Sequence, residues 1–252
     1  MNTRFDVFLR GDDEQHLEAV AVAVLEEIIR LDGALSRFDP RSEITRVNRQ
    51  AGKAAVRVDR ELFALLETCE QGRQVTNGFF DVTQGGSLEL DAAACTVRLP
   101  SAEAQIDLGG VGKGYALDCA REILRRFNVE NALLQGGTSS VLAVGDEAWP
   151  IDLRHPLKPD VIVERIELAN RGLSCSAARL ANGQISDVVN PLTGAPVVGD
   201  DACVVLEDSA TEAEIFSTAL LAMGKKMATQ YLANSDVVAR WIDGDFAWIK
   251  SL

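Results

Sequence analysis

Paired cysteines, positive charge, long apolar runs and histidine are what this chain is short of. Its five cysteines, Cys69, Cys95, Cys119, Cys175 and Cys203, are an odd number, and no two have the spacing of a zinc pair or a CxxC motif. Most sit in apolar surroundings and read as small buried hydrophobes of a reducing compartment. Lysine and arginine number 25 against 38 aspartates and glutamates, a formal charge of −13. Nucleic acid and anionic membranes are disfavoured as partners by that balance. An anionic ligand would have to be held by local devices: backbone N–H groups, a few basic residues, or a metal ion. No signal peptide precedes Phe5 and no apolar run reaches membrane length, so a soluble, cytoplasmic protein is expected. The two histidines do not cluster. His16 lies among acids, and His155 precedes Pro156 in a predicted loop; both read as solvated or structural.

Glycine, by contrast, is concentrated where the chain turns. In Ile106-Asp107-Leu108-Gly109-Gly110-Val111-Gly112-Lys113-Gly114-Tyr115-Ala116-Leu117-Asp118 an apolar run ends at Asp107, and four glycines fall within six residues. Leu117, Ala120, Ile123, Leu124 and Phe127 then recur at helical spacing. The stretch predicts strand, tight turn, helix. Glycine lets another group approach the backbone closely, and the N–H groups of a helix start suit a phosphate. Named phosphate motifs do not apply. A Walker A loop would need Gly at Asp107 and Ser or Thr at Gly114, and a dinucleotide fingerprint would need Gly at Tyr115. The turn alone is therefore either structural or a phosphate seat.

The rest of the chain alternates strands and helices without a strict βαβ rhythm, which predicts an α+β fold. Residues 4–10 read as a strand. A long helix follows Asp12-Asp13, with Leu17, Val20, Val24, Ile28, Leu31 and Leu35 on one face. Residues 35–48 form a polar stretch holding Phe38 and three arginines, either a solvated helix connection or a ligand wall. A second amphipathic helix follows Asp59 and ends near the turn Thr76-Asn77-Gly78. Phe79 and Phe80 would point to opposite sides of an extended segment, one to the core and one to a cleft. Residues 87–100 read as a hairpin, and Ala132–Gln135 as a buried strand entering a second turn, Gly136-Gly137, followed by hydroxyls. Residues 141–153, 161–169, 173–177 and 185–189 read as strands. The last runs into the turn Asn190-Pro191-Leu192-Thr193-Gly194. A helix over 210–223 ends at Gly224, and Val237–Ile242, Asp243-Gly244 and Phe246–Ile249 predict a closing hairpin. No linker, repeat or low-complexity tract interrupts the chain, and 252 residues suffice to bury roughly 70% of the unfolded surface.

With these stretches in view, the sequence resembles the ApbE family, the FAD:protein FMN transferases, over nearly its whole length. Five pieces in the family's order carry the resemblance: Ser36-Arg37-Phe38 with Ser42-Glu43-Ile44 and Asn48; Gly78-Phe79-Phe80-Asp81-Val82-Thr83; Asp107 to Asp118; Gln135-Gly136-Gly137; and Asn190-Pro191-Leu192-Thr193-Gly194 with Ser217-Thr218-Ala219-Leu220. The resemblance implies one ApbE-type α+β domain over 1–252, with mixed or antiparallel sheets, flanking helices and a central flavin cleft. It implies that FAD lies in the cleft with Mg²⁺ on its diphosphate. FMN would pass to a Ser or Thr hydroxyl of an acceptor protein and AMP would be released. Phe38 or the pair Phe79/Phe80 would contact the flavin ring. Gly109, Gly110, Lys113, Gly136 and Gly137 would approach the phosphates, and Asn48, Asp81, Ser176 and Thr193 complete the implied binding set.

The family's metal ligands are a backbone carbonyl in the glycine signature, a carboxylate, and a threonine four residues later. They map to Gly112, Glu214 and Thr218, and hard oxygens suit Mg²⁺. Positions i and i+4 share a helix face; without the resemblance, Glu214 and Thr218 would read as an ordinary acid and a packing residue. Four departures stand out. Glu214 replaces the family's Asp. Asp187, four residues before Pro191, replaces its histidine, and Asn190 and Ser176-Ala177 replace Asp and Ser-Gly. An ordinary Asp, with a pKa of about 4, is a poorer base at neutral pH than histidine. Asp187 is nevertheless the catalytic candidate. A non-catalytic flavin binder, or a hydrolase splitting FAD into FMN and AMP, are the alternatives.

Overall fold

The computed structural model describes residues 3–83, 86–155, 157–180 and 182–243, and the backbone of 248–250. Its elements are β1 (Phe5–Arg10), α1 (Glu14–Leu35), α2 (Glu43–Gln50), β2 (Val56–Arg57), α3 (Arg60–Val75), β3 (Glu89–Asp91), β4 (Thr96–Arg98), α4 (Gly112–Arg126), β5 (Asn131–Gly136), β6 (Ser140–Val144), β7 (Trp149–His155), β8 (Lys158–Leu168), β9 (Gly172–Ala177), β10 (Ala202–Glu207), α5 (Ala210–Met223), α6 (Lys225–Leu232), β11 (Val238–Ile242) and β12 (Trp248–Lys250). Seven strands form one sheet in the order β1-β5-β6-β9-β10-β11-β12, with every neighbouring pair antiparallel. β2, β4 and β3 form a small sheet, and β7 and β8 a long hairpin.

Both faces of the large sheet are covered, which is why β10 reads as an unbroken apolar run. Its Ala202, Val204 and Leu206 face the β7–β8 hairpin through Leu153 and Leu168. The alternate residues Cys203 and Val205 face the core built by α2, α3, α5 and the small sheet. A third cluster packs α1 on α4 and β5 through Val20, Val24, Ile28, Leu117, Leu124 and Leu134. The helix starts follow their caps. The side chains of Asp13, Ser42, Asp59 and Ser209 accept backbone N–H bonds from His16, Thr45, Leu62 and Glu212. α5 stops at Gly224, whose φ of 75° is costly for other residues.

Several local expectations fail. Residues 104–108 form no strand, because Asn48 takes both backbone groups of Ile106 and the Asp107 N–H bonds to Val82. Residues 185–189 hold only the isolated bridges Arg179–Ile185 and Val189–Pro196. Within the polar stretch, Ser42 starts α2. Phe79 and Phe80 are both buried in the same cluster rather than split between two sides. His155 ends β7 rather than lying in a loop. The expected turn at Asp243-Gly244 lies partly outside the described residues. Among the described residues no helix is long and apolar enough to cross a membrane.

Candidate functional site

The glycine turn is held from both sides. Asn48 Nδ2 donates to the Ile106 carbonyl at 3.0 Å, and Asn48 Oδ1 accepts from the Ile106 N–H at 2.7 Å. Asp107 Oδ1 accepts from the Gly109 N–H at 2.9 Å, and its other oxygen lies 3.2 Å from Arg37 Nε. α4 then starts without a side-chain cap from its own segment. An uncapped start leaves N–H groups without partners. The Gly112 N–H bonds back to Leu108, and the Gly114 N–H is taken by Glu214 of α5, whose Oε2 lies 2.8 Å away. The service is returned: Asp118 of α4 accepts from the Ala210 and Thr211 N–H groups at the start of α5, at 3.1 and 2.8 Å. Each helix thus caps the other with a carboxylate, near the positive end of its dipole.

Gly114 makes this crossing possible. A Cβ there would strike the Ala210 carbonyl, lying 2.6 Å from its carbon and 2.9 Å from Thr211 N. Gly136 does the same for Lys113, since its Cβ would fall 3.4 Å from that of Lys113 and 3.0 Å from the Phe5 ring. Lys113 Nζ lies 2.8 Å from Glu214 Oε1, which also accepts from Ser140 Oγ at 2.6 Å. Glu214 is 2% exposed. Both its oxygens already have protein donors, and the cation beside it is an ammonium. The resemblance assigns Gly112, Glu214 and Thr218 to Mg²⁺, an ion that demands near-octahedral oxygen ligation at about 2.1 Å. The side chains as arranged do not fit it: a dication on Oε1 would sit against Lys113.

Two cavities adjoin this knot. One, of about 620 Å³, is lined by Ser36, Arg37, Phe38, Asp107, Gly109, Gly112 and Lys113. The second, of about 550 Å³, is lined by Phe79, Phe80, Asp81, Gly110, Asp187, Pro191 and Thr218. Arg37, Phe38, Asp107 and Gly109 belong to both walls, so the two form one cleft. Phe38 is 79% exposed, with the Arg37 guanidinium 4.5 Å over its ring. Asp81 anchors its own loop, accepting from the Thr83 and Gly86 N–H groups at 2.7 and 3.2 Å.

Phe38, Phe79, Phe80, Asp81, Gly109, Gly110, Gly112, Lys113, Asp187 and Thr218 therefore meet at one cleft. Ser176 borders it through hydroxyl contacts to Ser217 and Thr218 at 2.9 and 3.4 Å. Asn48 acts behind the wall, on Ile106. Gly137, with φ 64°, turns against Arg4 and Thr3. Thr193 lines a separate cavity of about 260 Å³ with Asn190 and Trp241. Sequence reading missed Ser140, Asp118 and Arg37 as partners of the central charges. The hydroxyls after Gly136-Gly137 and the acid closing the glycine signature were its only hints.

Comparison with known proteins identifies the family and the fold. The sequence profile described as the ApbE family matches residues 1–90 and 87–241. A protein named FAD:protein FMN transferase from Klebsiella pneumoniae (strain 342) is 23% identical over 246 residues, covering 83% of this chain and 77% of that one. One of the same name from Treponema pallidum is 26% identical over 259 residues, covering 80% and 72%. The fold is shared with the crystal structure of the ApbE protein from Thermotoga maritima, at TM-score 0.87 and 23% identity over 99% of this chain and 94% of that one. It is shared as well with the flavin transferase ApbE from Vibrio cholerae, at TM-score 0.81 and 19% identity over 98% and 93%. On its sequence, its antiparallel α+β architecture and its glycine-walled cleft, this chain belongs to the ApbE family.

Proposed function

We propose that this protein is a flavin transferase, moving the FMN half of FAD onto a Ser or Thr hydroxyl of an acceptor protein. The single observation that supports this most is the continuous cleft. Its aromatic wall of Phe38, Phe79 and Phe80 suits a flat ring, and its glycine turn with Lys113 suits a diphosphate. The chemistry asks for alignment and charge neutralisation more than for covalent help. The acceptor oxygen attacks the flavin-side phosphorus. The bond from that phosphorus to the bridging oxygen breaks, and its electron pair leaves with AMP. The hydroxyl proton passes to a base, for which Asp187 is the candidate among the three carboxylates of the wall that holds Gly110 and Thr218, since Asp81 and Asp107 already accept from protein donors. Magnesium, implied by the resemblance, has no step in this reading, because Glu214 is fully engaged by Gly114, Ser140 and Lys113.

The test incubates the protein with FAD and a Ser/Thr-bearing candidate acceptor, following AMP by chromatography and acceptor mass by spectrometry. Equimolar AMP and FMN-modified acceptor are expected. FMN and AMP with unmodified acceptor would make the protein a hydrolase. FAD binding with no AMP under any condition would make it a flavin binder.

A further inference from the structure

We propose that Lys113, fixed by the buried carboxylate of Glu214, is the resident cation for the flavin diphosphate, and that this chain binds FAD without a divalent ion. The inference rests on the flavin reading and sharpens it. It starts from the side chain at 214. Glutamate is one methylene longer than aspartate, and here it reaches from α5 to the third residue of α4. There it meets three donors from two other elements: the Gly114 N–H, Lys113 Nζ and Ser140 Oγ. A carboxylate 2% exposed and so engaged is an anchor. A divalent ion could reach it only by breaking that set, which would leave the α4 start uncapped or put the ammonium beside a dication.

Lys113 keeps capacity for a ligand. An ammonium has three N–H donors, and Glu214 Oε1 takes one. The Lys113 side chain remains 22% exposed and lines the 620 Å³ cavity with Gly109 and Gly112. A flexible lysine normally loses entropy when it grips an anion. Here Glu214 has already ordered it. In a chain of net charge −13, positive potential must come from such local placement. The arrangement supplies a cation and a glycine backbone at one cavity wall.

The experiment titrates FAD into wild-type protein, following flavin fluorescence, in buffer with Mg²⁺ and in buffer with EDTA. Dissociation constants agreeing within about twofold are expected. A loss of about tenfold or more in EDTA overturns the inference and leaves the flavin reading standing. No binding in either buffer overturns both. Lys113→Met is expected to weaken FAD binding about 10- to 100-fold in both buffers, and Lys113→Arg to recover most of it. Unchanged affinity in Lys113→Met overturns the inference. Should Lys113→Met fail to fold, shown by its melting curve, the wild-type comparison decides alone.

Discussion

The two ends of the cleft are built differently. At the α4 end, each of the two carboxylates is held by several partners from other elements. Asp118 and Glu214 cap each other's helices, Lys113 and Ser140 close the knot, and the inward faces of α1, α4 and β5 pack one buried cluster beside it. At the other end, Asp187 stands on an irregular segment whose strand pairing is limited to two isolated bridges, and among the described residues no side chain pairs with its carboxylate. Leu180, Ile185, Leu192 and Val198 around it are exposed. The contrast separates two jobs. A diphosphate seat gains from a preorganised, desolvated charge. A reacting end must admit an acceptor protein, so a lightly stapled segment with low local stability suits it.

Substitutions should therefore cost turnover at one end and stability at the other. The largest effect belongs to Asp187→Ala. If Asp187 takes the hydroxyl proton, AMP release falls about 100- to 10,000-fold while FAD affinity and melting temperature hold. Unchanged release would put the base elsewhere. Next is Gly114→Ala. Its Cβ would lie under 3.0 Å from Ala210 and Thr211, so α4 and α5 must separate, at a cost of about 3 kcal/mol in urea denaturation. A cost near zero would mean that the helix crossing is looser than it looks. Glu214→Gln should lose about 2 kcal/mol, since an amide cannot match three donors and leaves Lys113 without its counter-charge. Asp187→Asn, by contrast, should leave stability within about 0.5 kcal/mol. Equal losses from these two changes would erase the distinction between the ends.

The same division governs how much could be read from the sequence. Elements marked by local chemistry stand where their signals put them: α5 runs from its Ser209 cap to Gly224, and α3 follows Asp59. What failed depends on partners distant in sequence. Residues 104–108 have the composition of a strand, but Asn48, 58 residues from Ile106, takes the backbone groups that a ladder would use. Glu214 shows a related limit. Its spacing to Thr218 gives a helix face, but the donors that fill its carboxylate come from residues 74 and 100 positions away. Spacing fixed the address of that carboxylate and left its partners unspecified. Asp187 was legible only through resemblance, because a lone acid in an irregular segment carries no periodic signal.

The smallest prediction tests whether full donor sets are what separates the knot from its surroundings. Glu207, at the end of β10 just before α5, is a half-buried carboxylate whose Oε1 has no hydrogen-bond partner. Burial, and secondarily the charge of Glu212, push its pKa up from 4.5 to about 7; Arg171 works against them, and Asp208 and Asp236 add to them. In the folded protein it therefore holds a proton that the unfolded chain releases near 4.5. The folded state binds more protons between those values, so stability falls as pH rises through that window. Its contribution is fully present below about 4.5 and lost above about 7. Glu207→Gln, neutral at every pH, should flatten that part of the melting-temperature profile. It should gain about 1 kcal/mol at pH 8, after discounting for partial exposure, and nothing at pH 4. A wild-type profile flat from pH 5 to 7.5 would show that solvent reaches this carboxylate. The knot would then owe its distinction to depth, with the number of donors secondary.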